Sequence, residues 1–295
     1  MTTSLDTTSS PVTAAPRLRP KAQFAVFGLT LAAIVLPAVA YARSQGVDMA
    51  HLDQAPVGAQ LALFGQSLAP GIAALVTWLA GGGRLDWGFR RVPWRRLGAA
   101  WLVGVVASLL GFAVVWATGL ARFDAAALGA GGMPPALTVA LGLVLGVVPF
   151  MVLALFEQLG WSSFLAVRVA QRRSRVATSV IVGLAWAAFH VPMMLFVPGA
   201  VADSTPVAWA VTMFAVSCVA LAFPLVHLRL RTRSIWPVLV MHAALNASLY
   251  LVAEPATVFS DSAHLWAGEG GVVTTLCTVV GVLVTAPLWR SSKTY

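Results

Sequence analysis

Long runs of apolar residues, separated by short polar segments, dominate this chain. A transmembrane helix needs about 20 predominantly apolar residues, and windows of about that length occur at eight places. They span residues 22–41, 58–80, 97–118, 136–157 and onward to about 167, 176–197, 207–228, 235–253 and 271–289. The pattern predicts an all-α, polytopic membrane helix bundle of about eight transmembrane helices.

The composition supports this interpretation. Hydrophobic residues make up 59% of the 295 positions and charged residues only 10%, whereas about 25% charged residues are typical of a soluble domain. The only lysines are Lys21 and Lys293, while arginine is common, a balance that suggests a GC-rich genome. We therefore expect a multi-pass protein of a bacterial plasma membrane, with the lipid bilayer as its permanent partner.

The charges alternate from loop to loop. Of the 19 basic residues, 17 fall on one side of the predicted membrane, and only Arg43 and Arg122 fall on the other. The positive-inside rule then places both termini in the cytoplasm. The net charge of +9 is a topology signal that also attracts anionic lipid headgroups, so we expect no nucleic-acid partner. Acidic residues fall mostly on the outer side: Asp48, Asp53, Asp124, Asp203, Glu254, Asp261 and Glu269.

Glu157 is the only carboxylate inside a long apolar run. An ionisable side chain in the bilayer interior costs roughly 2.5–3.5 kcal/mol on insertion scales and by default marks a functional site. Two further polar pairs, Trp186-x3-His190 and His242-x3-Asn246, interrupt other apolar runs, and residues four apart share one face of a helix. At 1.5 Å per residue, Glu157, His190, His242 and Asn246 lie roughly 12–21 Å from the cytoplasmic helix ends, within one slab.

Each of these polar residues also has a structural interpretation. A single buried histidine often only hydrogen-bonds a helix carbonyl, and an asparagine in a membrane span often links two helices. A lone intramembrane glutamate also suits a proton relay or an ion site. Separately these interpretations stay open, but they do not predict four polar groups at a common depth.

Three motifs in order resemble the CPBP family of intramembrane proteases over about residues 140–250. They are Glu-x-x-Gly-Trp from Glu157, Trp-x3-His-x-Pro from Trp186, and Ser-Ile-Trp-Pro-x4-His-x3-Asn from Ser234. This family contains the type II CAAX prenyl endopeptidases and the bacteriocin-processing and bacteriocin-immunity proteins. The resemblance implies that Glu157 is the catalytic base and that His190 helps to position the water. It further implies that His242 and Asn246 form an oxyanion hole, with Gln158, Trp161 and Trp186 as supporting residues.

The first motif departs from the family pattern. The family reads Glu-Glu-x3-Arg, whereas this chain has Gln158 and Ser162 at the second and last of those positions. The two lost charges are opposite, so the net charge of the site is unchanged. Gln158 keeps a similar shape and can form hydrogen bonds, but Ser162 is too short to replace a guanidinium fork.

A metal site is an alternative arrangement of the same residues. Glu157, His190 and His242 could bind zinc as a His2Glu set, and the family is often labelled metalloprotease. The chain has no HExxH helix, which is the usual zinc-protease signature. The cofactor therefore stays undetermined, with zinc as the one candidate.

The leading hypothesis is an intramembrane, CAAX-protease-like endopeptidase that hydrolyses a membrane-associated peptide or protein with water activated by Glu157. The alternative is a non-catalytic family member in bacteriocin immunity or envelope regulation, motivated by the replaced Glu and Arg. A proton-coupled transporter is the third hypothesis. The single intramembrane acid and the absence of an internal repeat speak against it.

The predicted organisation has four parts. Residues 1–21 form a disordered cytoplasmic tail, 22–135 the N-terminal transmembrane helices, 136–253 the CPBP-like catalytic core, and 254–295 an outer loop with the last transmembrane helix. Ala38-Val39-Ala40 after the first apolar run also fits a signal-peptide cleavage site. That run of about 20 residues exceeds the usual 7–15 of a signal peptide, so we favour an uncleaved first helix.

Overall fold

The computed structural model describes residues 18–83, 85–129 and 132–290. Of the predicted disordered tail, residues 1–21, the first 17 residues lie outside these ranges. The described residues fold into a bundle of apolar helices joined by short loops, as the sequence predicts. The longer helices are α1 (Pro20–Ser44), α2 (Val57–Gly65), α3 (Ala69–Leu79), α4 (Trp94–Thr118), α6 (Pro135–Val144), α7 (Val147–Gln158), α9 (Arg175–Phe196), α10 (Val207–Thr232), α11 (Trp236–Ser248) and α12 (Val272–Val284).

Short elements complete the fold. Two π-helices extend α7 and α11, and three 3₁₀ helices lie in the loops and between α2 and α3. Two two-residue strands, β1 (Arg122–Phe123) and β2 (Thr257–Val258), pair in antiparallel register, with Arg122 opposite Val258. The remaining short helices are α5 (Ala125–Leu128), α8 (Val167–Ala170), α13 (Ala286–Arg290), the π-helices Leu159–Ala166 and Leu249–Ala253, and the 3₁₀ helices Met49–Gln54, Gln66–Leu68 and Ala263–Leu265.

Seven helical segments in the described residues are long and apolar enough to cross a membrane. They coincide with the first seven predicted windows, because α2 continues into α3 and α6 continues through α7 to α8. These spans are Pro20–Ser44, Val57–Leu79, Trp94–Thr118, Pro135–Ala170, Arg175–Phe196, Val207–Thr232 and Trp236–Ala253. An all-helical, multi-pass membrane bundle is thus confirmed, while the cytoplasmic position of both termini stays a prediction.

The eighth predicted span, residues 271–289, is not one long helix. Helix α12 has only 13 residues, and after Thr285 the chain starts α13. Pro287 explains the break, because proline lacks the backbone N–H that would continue the helix and its ring disfavours helical geometry in the preceding residue. Trp289 then folds back, and its indole N–H donates to the carbonyl of Val282 at 3.1 Å.

Small residues let the helices that carry the polar motifs approach closely. A Cβ added at Gly104 of α4 would lie 2.4 Å from the carbonyl oxygen of Met241 in α11. A Cβ added at Gly183 of α9 would lie 2.5 Å from the Cα of Val219 in α10. Packing of this kind holds membrane helices together where the hydrophobic effect between them is absent. Helix α11 packs against both α4 and α7, which places its histidine and asparagine inside the bundle.

Candidate active site

Glu157 lies at the point where the helix geometry changes. Helix α7 ends at Gln158, and a π-helix follows over Leu159–Ala166. Its wider turn is rare and is frequent at functional sites. Gly160 packs on helix α3, since a Cβ at this position would lie 2.4 Å from the Cβ of Pro70. The glycine of the first motif is therefore required by packing, and it holds the segment after Glu157 against α3.

A cavity of about 210 Å³ inside the bundle collects the polar residues of the three motifs. Glu157 comes from α7, Trp186 and His190 from α9, and His242 and Asn246 from α11. Four of these side chains, all but that of Trp186, are those that the sequence placed at a common depth. Of the other predicted site residues, Gln158 contacts the His242 ring at Nδ1. Trp161 lines a separate apolar groove next to α1.

The Glu157 carboxylate is held by an indole group. Trp186 donates its Nε1–H to Oε2 of Glu157 at 3.1 Å. Nε1 of Trp161 is buried and has no hydrogen-bond partner among the described residues. Trp161 itself is 2% exposed and packs edge-on against Phe27 and Phe189. The Trp186 indole thus holds the Glu157 carboxylate in place.

His190 has a defined tautomer. Its Nδ1 lies 3.0 Å from the backbone carbonyl of Trp186, one helical turn earlier. A carbonyl oxygen can only accept, so Nδ1 carries the proton and Nε2 of the neutral ring is an acceptor. The ring makes edge contacts with Phe189 and Phe214. The carbonyl bond alone matches the structural interpretation of this histidine, but its Nε2 is left without a bond to the described protein and the residue lines the cavity.

His242 has the opposite tautomer. Ser162 donates its hydroxyl to Oε1 of Gln158 at 2.6 Å, and the amide nitrogen Nε2 faces Nδ1 of His242 at 2.8 Å. An amide N–H₂ can only donate, and Nδ1 must therefore accept. The ring proton then lies on Nε2, which is directed away from Gln158. Trp186 packs edge-on against this ring, with centroids 5.1 Å apart.

Asn246 lies one turn after His242 on the same face of α11. Its side chain lines the cavity and forms no hydrogen bond with protein groups in the described ranges. An amide in this position can donate two N–H groups to a guest in the cavity. The interpretation of this residue as a link between two helices therefore finds no bond to support it.

A second opening reaches the same residues from the side. A cavity of about 380 Å³ lies between α2 and α7, and Glu157, His190 and Asn246 contribute to its wall. The rest of its wall is mostly apolar. Phe64 of α2 and Leu153 of α7 are exposed there, at 52% and 43%. Exposed apolar side chains on a membrane bundle face lipid, so this cavity connects the Glu157 carboxylate with the hydrocarbon region.

A third cavity reaches the site residues from the acidic loops. A cavity of about 520 Å³ is lined by Asp48, Asp203, Glu254 and Glu269 and by His190. Glu254 is half-buried there, and its burial, with a smaller effect from the nearby Glu269 carboxylate, raises the pKa of Glu254 to about 8.

Glu269 and Tyr250 also line the inner cavity that contains Glu157, and Tyr250 donates its hydroxyl to Oε2 of Glu269 at 3.0 Å. Sequence reasoning missed both residues. Tyr250 could have been found from its spacing, four residues after Asn246 on one helix face. Glu269 carries no such signal, because its position depends on how the loop folds back.

The donor set does not fit a metal ion. The described residues contain no group of three or more His, Cys, Asp and Glu side chains placed to hold one. With Nδ1 of His242 accepting from the Gln158 amide, its Nε2 carries the ring proton and offers no lone pair to a metal in the cavity. Glu157 uses one oxygen for Trp186. The zinc set of Glu157, His190 and His242 thus has no support in the geometry, and the designation metalloprotease has none either.

A comparison with family models places these residues in a known group. Residues 139–248, less than half of the chain, match the model described as type II CAAX prenyl endopeptidase Rce1-like. A search of the curated proteins finds no match. The matched segment contains all three polar motifs and agrees with the resemblance expected over residues 140–250. Residues 139–248 therefore form a domain of the Rce1-like type II CAAX prenyl endopeptidase family.

Proposed function

We propose that this protein is an intramembrane endopeptidase that hydrolyses a membrane-associated peptide or protein with water activated by Glu157. One observation carries the proposal: acceptors and donors for peptide hydrolysis line one cavity. The acceptors are the Glu157 carboxylate and Nε2 of His190, and the donors are Nε2–H of His242 and the amide of Asn246. Hydrolysis needs an activated water and a stabilised oxyanion, and this cavity has a group for each.

The acceptor pair suits a nucleophilic water. A water molecule between Glu157 and His190 donates one hydrogen to the carboxylate and one to Nε2. Both of its hydrogens are then engaged, and an oxygen lone pair points toward the substrate carbonyl. His190 can take this part because its Nδ1 proton is held by the Trp186 carbonyl. Its role is to orient the water, while the carboxylate removes the proton.

The donor pair suits the carbonyl oxygen of the substrate. His242 and Asn246 lie one helical turn apart on α11, so both donors can reach one oxygen. Negative charge develops on that oxygen as the water attacks, and fixed donors in a dry cavity stabilise it strongly. The tautomer of His242 supplies a neutral Nε2–H donor for this purpose.

The reaction balances with protein groups alone. The water oxygen attacks the carbonyl carbon, and its proton passes to the Glu157 carboxylate. The tetrahedral intermediate then collapses, the C–N bond breaks, and the protonated Glu157 returns the proton to the departing amine. The products are a carboxylic acid and an amine, and Glu157 is again a carboxylate. No step is routed through a metal.

Two features support a membrane-associated substrate. The family match concerns prenyl endopeptidases whose substrates are membrane-bound, and the opening between α2 and α7 leads from the lipid face to Glu157. No side chain in that opening selects a prenyl group over another apolar anchor. The proposed substrate class is therefore a membrane-associated peptide or protein, whatever its apolar anchor.

The alternative is a non-catalytic member of the family, in bacteriocin immunity or envelope regulation. Gln158 and Ser162 favour it, because they replace a charged pair of the family motif. Both side chains are nevertheless buried and hydrogen-bonded to each other, and Gln158 is also bonded to His242. The two proposals differ in whether the biological effect of the protein requires Glu157.

The test uses purified protein in liposomes, with wild type beside Glu157→Gln. Both meet a library of membrane-inserted and prenylated peptides, and mass spectrometry identifies the products. We expect cleavage by wild type and none by Glu157→Gln. Asp261→Asn, which removes an exposed carboxylate that does not line the cavity, is the matched control and should cleave like wild type. Cleavage by a correctly folded Glu157→Gln variant contradicts the mechanism. A cellular phenotype that survives Glu157→Gln supports the non-catalytic alternative.

A further inference from the structure

The two positions at which the chain departs from the family motif form one hydrogen-bonded unit with His242. Gln158 is fully buried and Ser162 is 1% exposed. The hydroxyl of Ser162 donates to Oε1 of Gln158 at 2.6 Å, and Nε2 of Gln158 lies 2.8 Å from Nδ1 of His242. Residues 158 and 162 are one turn apart, so the pair is prearranged on its own helix before it meets α11.

An amide at position 158 and a carboxylate at the same position have different effects on the protonation of the His242 ring. A glutamine with Oε1 occupied by the Ser162 hydroxyl can only donate toward His242, so Nδ1 must be unprotonated. A glutamate has only acceptors when it is ionised, so Nδ1 would have to carry a proton. His242 could then keep its Nε2–H donor only as a positively charged imidazolium. The amide allows the same donor on a neutral ring.

We propose that Gln158 and Ser162 are positioning residues that hold His242 as the neutral Nε2–H tautomer, so that the cavity receives a hydrogen-bond donor without a positive charge. The catalytic meaning of this tautomer rests on the proposed function, whereas the tautomer itself does not. Gln158 and Ser162 are uncharged, whereas the family motif has a Glu and an Arg at these two positions. Ser162 contributes the hydroxyl that donates to Oε1 in the orientation that turns the amide N–H₂ toward His242.

A neutral ring also fits the other groups around it. Trp186 covers one edge of His242, and Gln158 occupies Nδ1. No arginine or lysine among the described residues lines the cavity. The titratable groups that share the cavity with His242 are Glu157, His190, Cys218, Tyr250 and Glu269.

The experiment reads the tautomer directly. Protein labelled with ¹⁵N-histidine is placed in lipid nanodiscs, and the nitrogen shifts of His242 are assigned by their loss in His242→Asn. In wild type near neutral pH we expect a protonated Nε2 and an unprotonated Nδ1. His190 is an internal reference of the opposite kind, because its Nδ1 is bonded to the Trp186 carbonyl. Gln158→Glu should protonate Nδ1 of His242 and leave His190 unchanged.

A second pair of variants separates the network from general packing. Ser162→Ala frees Oε1 of Gln158, so His242 should show a mixture of both tautomers. Ser163→Ala is the matched control, since Ser163 is equally buried but donates to the carbonyl of Trp87; it should leave the His242 signals unchanged. If Nδ1 of His242 is protonated and its Nε2 unprotonated in wild type, the Gln158 amide has the reverse orientation and the proposal is overturned. Wild-type shifts in Gln158→Glu overturn it as well. These signals are independent of cleavage, so an inactive protein with the expected tautomer would refute only the proposed endopeptidase.

Discussion

Trp186 donates its indole N–H to the Glu157 carboxylate at 3.1 Å, and its backbone carbonyl holds Nδ1 of His190 at 3.0 Å. One residue of α9 thus orients both acceptors of the candidate active site. The two bonds use different atoms of Trp186, so a substitution of the side chain breaks the first and spares the second. This separation makes the contribution of the indole measurable.

We expect Trp186→Phe to lower kcat while the fold is retained. A hydrogen bond to a charged group contributes about 1.5–3 kcal/mol, which corresponds to a roughly 10- to 100-fold loss. Phenylalanine keeps most of the ring packing against His242. The measurement is the rate of peptide cleavage in liposomes, with circular dichroism to check the fold.

Trp116→Phe is the matched control for this substitution. Trp116 also donates its indole N–H inside the protein, but to the hydroxyl of Thr257 at 3.0 Å, away from the cavity. Its loss should leave kcat unchanged. Equal activity of Trp186→Phe and wild type would show that the carboxylate does not depend on the indole for its position.

The structural role of Gly160 can be tested by adding a side chain. A Cβ here would lie 2.4 Å from Pro70 Cβ and 2.6 Å from its carbonyl oxygen, and the backbone of α3 cannot give way cheaply. We expect Gly160→Ala to destabilise the protein by roughly 1–3 kcal/mol, as overpacked cores do. Thermal unfolding in detergent micelles measures the effect.

Gly98→Ala provides the comparison, because nothing lies within 4 Å of a Cβ at that position of α4. Alanine is the better helix former by about 1 kcal/mol, so this variant should be at least as stable as wild type. A Gly160→Ala variant that unfolds at the wild-type temperature would show that the π-helix segment can shift away from α3.

Much of this arrangement could be predicted from the sequence, since apolar length and motif spacing are local properties. The first seven spans follow from apolar runs, and the spacing of His242 and Asn246 places them on one face. The π-helix after Glu157 could not be predicted, because a wider turn in which seven of the eight residues are buried leaves no distinct periodicity. The break at Thr285 could have been inferred from Pro287. Glu269 reaches the cavity only through the fold of its loop, which no local pattern encodes.

The opening between α2 and α7 predicts a route for the substrate. Leu153 lines this opening, whereas its neighbour Val152 is 67% exposed and does not. We expect Leu153→Trp to narrow the route and lower kcat/KM for a membrane-inserted peptide roughly tenfold, about 1.4 kcal/mol in transition-state free energy. Val152→Trp adds the same bulk to the same helix and should cleave like wild type. Equal losses in both variants would indicate a general effect on α7 rather than a blocked route.

The raised pKa of Glu254 predicts a pH dependence of stability. Burial, with a smaller contribution from Glu269, raises it from about 4.5 to about 8. Between these values the folded protein keeps a proton that the unfolded chain has released, so stability falls as the pH rises through this window. Below about pH 4.5 Glu254 is protonated in both states, and the folded protein loses no stability. Above about pH 8 the carboxylate is charged in both states, and the full penalty of the buried charge applies.

We therefore expect Glu254→Gln to raise the unfolding temperature relative to wild type by an amount that grows from pH 5 to pH 8.5. Glu269→Gln should act in the same direction, because it removes the second cause of the Glu254 shift and because burial raises the pKa of the Glu269 carboxyl as well. Asp261→Asn, at an exposed position of the same loop region, should leave the wild-type profile unchanged. Differential scanning fluorimetry in detergent measures all four proteins. Parallel profiles for wild type and Glu254→Gln would mean that water reaches this carboxylate in the folded protein and that burial does not control its charge.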